Sequence, residues 1–175
     1  MAESAGIRIR PLQPGDARAF RALRLEALRL QPDAFGSSLE EESVLTEEEH
    51  ARFIRSGPAR VVLGAFEDSA LIGMLGVYAH EQAKTRHKGR IWGVYVRQAC
   101  RGRGIASAVL ADAIAFARGV PGLEILQLTV GAHSTAARAL YEAAGFRAFG
   151  LERHGMRLGP GDYRDEILMA LDLTA

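Results

Sequence analysis

The sequence predicts a single α/β (α+β) domain over residues 1–175, built on a mixed sheet of about seven strands with about four helices on its faces. Three observations predict it. Apolar or alternating runs of strand length recur between turn residues along the whole chain. Apolar residues at helical spacing lie between several of these runs. Finally, the strand end Val94-Tyr95-Val96 leads through Arg101-Gly102-Arg103-Gly104 into the alanine-rich helical run 107–118, which nothing breaks before Gly119.

Taken in order, Ile7-Arg8-Ile9-Arg10 alternates apolar and polar and stops at Pro11, the pattern of a first strand with one buried face. Pro14-Gly15-Asp16 makes a turn, and Asp16 is the expected N-cap of a helix carrying Phe20, Leu23, Ala27 and Leu30 on its inner face. Arg18, Arg21, Arg24 and Arg29 are expected on the solvated face. Residues 31–38 end this helix, and the acidic run Glu40-Glu41-Glu42 follows. Thr46 and Glu49 have capping-box spacing, opening a short helix with Phe53 and Ile54 on its apolar side, stopped by Gly57-Pro58.

Residues 61–66 and 71–78 form an antiparallel hairpin around Glu67-Asp68-Ser69, and residues 80–88 a polar loop. The strand 90–96 contains Gly93, which marks a bulge or a close backbone approach. Beyond the helix 107–118, Leu126, Leu128 and Val130 alternate with Gln127 and Thr129 in a further strand. Ser134 is the expected cap of a helix that carries Ala137, Leu140 and Tyr141 and ends at Gly145. Residues 149–153 and 165–173 read as closing strands around Gly159-Pro160-Gly161.

Composition narrows the partners. With 48% hydrophobic and 25% charged residues the chain can build one sizeable core. A net charge of +1 gives no reason to expect nucleic acid or an anionic membrane as partner. The lone Cys100 excludes an intramolecular disulfide, and without zinc-type Cys/His spacing no metal is expected. Glu3 precedes any apolar run and no apolar stretch is long enough to span a bilayer, so a soluble, cytoplasmic protein is expected.

The junction at 94–106 has the makings of an anion cradle. First-turn N–H groups of a helix lack intrahelical partners and sit at its positive end, and the two glycines let backbone approach a ligand. Arg101 and Arg103 add charge. Known nucleotide loops fit badly, since Ser107 stands where a dinucleotide fingerprint needs its third glycine and no Gly-Lys-Ser/Thr is present.

Residues 96–106 resemble the acetyl-CoA pyrophosphate loop of the GNAT (GCN5-related) N-acetyltransferases, Q/R-x-x-G-x-G/A, with Ala99 at the Q/R position. Residues 130–146 resemble that family's later motif, V-x-x-x-N-x-x-A-x-x-L-Y-x-x-x-G-F, with Ser134 at the usual Asn. The resemblance implies a mostly antiparallel sheet and acetyl-CoA as cofactor. It implies cofactor contacts from Val94, Tyr95 and Val96, the pantetheine arm pairing with the backbone of Val94 and Val96. The diphosphate would then lie on Arg101, Gly102, Arg103, Gly104, Ile105 and Ala106, with further contacts from Ser134 and Tyr141. The implied reaction moves an acetyl group to a primary amine of a small molecule, amino acid or protein by direct attack in a ternary complex. Tyr141 would protonate the leaving sulfur and the Val94 N–H would stabilise the oxyanion.

Residues 34–42 resemble the Pro-x-Ala-Phe-Gly-Ser-Ser segment with following acidic residues of one branch of the family, which lies over the acceptor site. Phe35, Ser37 and Glu41 are therefore expected substrate contacts. Where many relatives carry a glutamate on the fourth strand, Arg90 and Trp92 stand here, leaving residues 40–42, Glu81, His133 or an ordered water as the base. The missing base and Ser134 keep a second reading open, a non-catalytic acyl-CoA-binding sensor or interaction module. A homodimer through residues 165–173 is a candidate state.

Overall fold

The computed structural model describes residues 6–174. Its strands are β1 (Ile7–Pro11), β2 (Arg60–Glu67), β3 (Ala70–Ala79), β4 (Lys88–Val96), β5 (Ile125–Gly131), β6 (Arg147–Gly159) and β7 (Asp162–Asp172). The α-helices are α1 (Ala17–Leu30), α2 (Leu39–Ser43), α3 (Glu47–Phe53), α4 (Ile105–Arg118) and α5 (Thr135–Ala143). All strands join one sheet in the order β1-β2-β3-β4-β5-β7-β6. Only β4 and β5 run parallel, and they pair only from Lys88–Arg90 to Ile125–Gln127. Beyond these residues the two strands part.

The sheet is covered on both faces, and β2 records this in its sequence. Val61 to Phe66 are apolar or glycine at every position rather than every second one, as befits a strand with two buried sides. Val61, Leu63 and Ala65 enter a core shared with α4 and Tyr141 of α5, whereas Val62 and Phe66 enter a second core with α1 and the end of α3. No helix among the described residues is long and apolar enough to cross a membrane.

Several local expectations change. Among the described residues there are five α-helices rather than about four, because the acidic segment folds as α2: the Glu41 N–H donates to Ser38 Oγ and the Ser38 N–H donates to the Glu41 carboxylate. Asp16 does not cap α1 through its side chain. Its carboxylate instead accepts from both terminal nitrogens of Arg10 and from the Gln13 N–H, which closes a 3-10 turn ahead of α1. In α1 the buried stripe runs through Phe20, Leu23, Arg24, Ala27 and Leu28, so Leu30 is exposed and Arg24 is not on the solvated face. The i, i+4 steps from Phe20 through Arg24 to Leu28 explain the difference. The closing hairpin is far longer than expected, with irregular pairing around Ala148, Glu152 and Arg157 that bends β6 along β7.

Candidate functional site

Gly102 and Gly104 both have φ of +75°. This left-handed geometry favours glycine, and it turns the chain sharply between β4 and α4. The first intrahelical acceptor is the Gly104 carbonyl, used by the Ala108 N–H, so the N–H groups of Ile105, Ala106 and Ser107 lack helical partners. These residues, with Val96, Cys100, Arg101, Gly102 and Gly104, line a small cavity of about 280 Å³. Concave, positive and rimmed by backbone donors, it suits a diphosphate. Such a helix terminus contributes about 0.3–1 kcal/mol per exposed anionic group, so an arginine must add to it.

Only one of the two loop arginines is at hand. Arg101 lines the cavity, its Nε donating to the Val96 carbonyl at 3.0 Å. Arg103 is not among the lining residues, because its Nη2 donates to Glu67 at 2.6 Å on the β2–β3 hairpin. That partnership holds the Glu67 carboxyl below its ordinary pKa. Cys100 is buried under the loop.

The edge of β4 leads from this cavity to a larger one. Gly93 has φ of +64°, and the register with β3 slips between Met74–Tyr95 and Gly76–Trp92, which is the expected bulge. The Arg97 N–H bonds back to Ile72 on β3, so by strand alternation Tyr95 also turns its backbone groups to β3. Val94 and Val96 therefore face the gap that β5 has left. Tyr95 belongs elsewhere: its side chain is buried in the α1 core, and its hydroxyl donates to Glu26 at 3.0 Å. Tyr95 lines neither cavity.

The larger cavity, about 810 Å³, opens where β4 and β5 diverge. Its walls bring together Val94, Ser134 and Tyr141 with Phe35 and Ser37 of the segment after α1. Glu41 is absent from the wall, since its carboxylate is spent on the capping box of α2. Ser134 precedes α5 but does not cap it, its Oγ lying 3.4 Å from His133 Nε2. His133 Nε2 in turn meets Asp33 at 2.8 Å, tying the α5 entrance to the turn after α1. Tyr141 is held edge-on against Phe146, and burial pushes its phenol up to about 12. It therefore stays protonated throughout the neutral range.

Two carboxylates that sequence reasoning missed also line this cavity. Glu152 of β6 and Glu166 of β7 stand directly opposite each other in the sheet register. Burial, reinforced by the charge of Glu152 and opposed by Arg90, holds Glu166 above its ordinary pKa. Arg90 is anchored by donating to Thr129 Oγ1 at 2.8 Å across the β4–β5 gap. Of the sequence-derived base candidates only His133 reaches the wall; residues 40–42 and Glu81 do not.

Comparison with known proteins agrees with this layout. Residues 24–146 match the model of the Acetyltransferase (GNAT) family. A GNAT-family acetyltransferase from Streptococcus pneumoniae superposes with a TM-score of 0.85 at 27% identity, covering 95% of this chain and 99% of that one. A GNAT superfamily phosphinothricin acetyltransferase from Sinorhizobium meliloti, solved with AcCoA, gives 0.78 at 22% identity, covering 95% and 88%. Ribosomal-protein-alanine N-acetyltransferase from Brucella melitensis gives 0.74 at 23%, covering 94% and 99%. The last two likenesses, below a quarter identity, speak for the fold alone. No curated protein matches in sequence. A mixed sheet that splays between β4 and β5, a glycine loop feeding α4, and a family match over residues 24–146 lead to one assignment: the chain belongs to the GNAT acetyltransferase family.

Proposed function

We propose that the chain transfers the acetyl group of acetyl-CoA to a primary amine by direct attack in a ternary complex. The observation that carries this reading is the edge of β4 that β5 leaves without a partner strand, which has a donor-rich small cavity at its Val96 end and the large cavity at Val94. The residues present fit the cofactor. The N–H groups at the start of α4 and the Arg101 guanidinium suit a diphosphate, and the Val94–Val96 edge suits an amide-bearing arm. When bound there, acetyl-CoA supplies an activated thioester.

The protein's own groups then handle protons and charge. An alkyl amine with a pKa near 10.4 is almost wholly protonated at pH 7, so a base must free its lone pair. Glu166 is our candidate, since its raised pKa brings it closer to the working range than an ordinary carboxylate. The Val94 N–H, next to the bulge, donates to the carbonyl oxygen as charge develops. Tyr141 would donate its phenolic proton to the departing sulfur as the carbon–sulfur bond breaks and the carbon–nitrogen bond forms, and the proton that attack leaves on the new amide nitrogen would restore the phenol.

The test has two parts. Acetyl-CoA at 100 times its Kd should stabilise the protein by about 2.7 kcal/mol, a Tm rise of roughly 5–11 °C, while NAD and ATP leave Tm unchanged. CoA release against a panel of amines should then rise above the rate without acceptor. An upshift with no acceptor-dependent release would favour a binding module over an enzyme.

A further inference from the structure

Arg24 is an unusual residue to find on the inner stripe of α1. Its side chain is only 7% exposed. Nε and Nη2 donate to Glu42 at 2.6 to 3.2 Å, and the guanidinium lies over the rings of Phe35 and Trp92. Nη1 is different: it is buried and has no hydrogen-bond partner. A buried donor on a charged group is costly to leave unmet, and residues whose polar atoms lack partners inside a protein call for an explanation.

The position of Nη1 supplies one. Arg24 lines the large cavity, and a Cβ built on Gly93 would lie 3.6 Å from Nη1. The spare donor thus stands at the β4 bulge, beside Val94. Because Glu42 already answers the rest of the fork, Nη1 is held in place by a pair that the ligand does not have to form. An arginine nitrogen positioned in this way is a ready partner for an oxyanion.

We infer that Arg24 Nη1 binds a carboxylate of the acceptor, and that the acceptor is a free α-amino acid. This rests on the acetyl-transfer reading above, which sets the attacked carbonyl beside Val94. A carboxylate held at Gly93 is then a close neighbour of the attacking nitrogen, which suits an amine and a carboxylate on the same carbon. An ω-amino acid would carry its amine past the bulge. A protein N-terminus would offer only a neutral amide there.

The experiment compares kcat/KM for L-leucine, L-phenylalanine and L-glutamate with that for isoamylamine, phenethylamine and 4-aminobutyrate, using CoA release. The wild-type protein should prefer the α-amino acid of each pair by about 10- to 150-fold, the range of a hydrogen bond to a charged group. Arg24→Lys, which retains a cation for Glu42 but loses Nη1, should remove most of that preference, mainly through KM for the amino acid. An Arg24→Met, Glu42→Met double variant, which leaves no unpaired buried charge, should do the same. Acetyl-CoA-induced thermal shifts check that each variant keeps a folded cofactor site.

Wild-type turnover of amines with no preference for the α-carboxylate would overturn the inference and leave the acetyl-transfer reading standing. A uniform fall in kcat for every acceptor in Arg24→Lys would also overturn it, moving Nη1 to the thioester carbonyl. A protein that neither binds nor consumes acetyl-CoA would refute the acetyl-transfer reading itself.

Discussion

The indole of Trp92 lies against the backbone of Gly76: a Cβ at position 76 would fall 2.2 Å from Trp92 Cε2 and 2.3 Å from Nε1. The two residues face each other across β3 and β4, just before the bulge, and Trp92 forms part of the large cavity's wall. Any side chain at position 76 must displace a rigid ring system. Gly76→Ala should therefore destabilise the protein by about 1–3 kcal/mol, the usual penalty of overpacking. Thermal melting should show this as a drop of about 2–4 °C per kcal/mol. Acceptor KM should rise as well, because Trp92 cannot hold its place.

The buried Arg24–Glu42 pair makes a prediction about acid. Burial pushes the Glu42 carboxyl up, but hydrogen bonds and charge from Arg24 outweigh this and hold it below its ordinary value of 4.5. Its stabilising contribution is complete above the unfolded pKa and is lost as pH falls through the lower folded value. Glu42→Ala should lower stability by about 3–5 kcal/mol near neutrality, because it strands a buried guanidinium. Chemical denaturation from pH 7 to pH 3 should then find the difference between wild type and variant shrinking at the acid end.

Arg101 and Arg97 offer a test that separates the proposed cofactor contact from scaffolding. Arg101 lines the small cavity, whereas Arg97 is paired with Glu26 at 3.2 Å outside it. Arg101→Ala should weaken acetyl-CoA binding by about 10- to 150-fold, as expected for loss of a charge-assisted contact. Arg97→Ala should change it far less. Calorimetric titration of both variants decides the matter, and equal losses would remove Arg101 from the diphosphate site.

Tyr141 and Glu166 should leave distinct signatures in pH profiles. Tyr141→Phe should reduce kcat by about 100-fold or more, the scale of general acid catalysis, with a much smaller effect on acetyl-CoA affinity. With its pKa at about 12, Tyr141 should cause no alkaline fall in rate near neutrality. The folded state holds this proton where the unfolded chain releases it, so stability should decline as pH rises from about 10 to 12. Tyr141→Phe should lessen that decline, leaving the share that Tyr95 adds through its own raised pKa, which burial and Glu26 cause.

Glu166 must be deprotonated to accept a proton, so the rate should fall as pH drops through its raised pKa. Glu152→Gln removes a neighbouring negative charge and should move that acid limb to lower pH. Glu166→Gln should eliminate the limb together with most of the turnover. A pH profile unchanged by either substitution would exclude Glu166 as the base.

Much of the scaffold was legible in the residues. Gly102 and Gly104 announced a turn only glycine adopts readily, Gly93 a bulge, and Thr46 with Glu49 a capping box, because each of these conditions is met within a few positions of chain. The alternation of Leu126, Leu128 and Val130 likewise described which face of β5 is buried. The geometry of a short stretch needs no distant partner to state it. One missed signal was local too: Arg24 sits four residues from both Phe20 and Leu28, which placed it on the buried stripe of α1.

Other features depended on residues that meet only after folding. Arg103 was drawn away from the loop by Glu67, 36 positions earlier, and Asp16 left its capping role for Arg10. Glu152 and Glu166 face each other because β6 and β7 pair through several irregularities, and no count along the sequence recovers a register that slips at Ala148, Glu152 and Arg157. By itself the sequence determined the glycine turn into α4 and the free N–H groups at its start, since backbone conformation and helix polarity are local properties. Only the tertiary structure decided which charged side chains line the large cavity, since that depends on strand order, on register, and on which competing ion pair claims each group first.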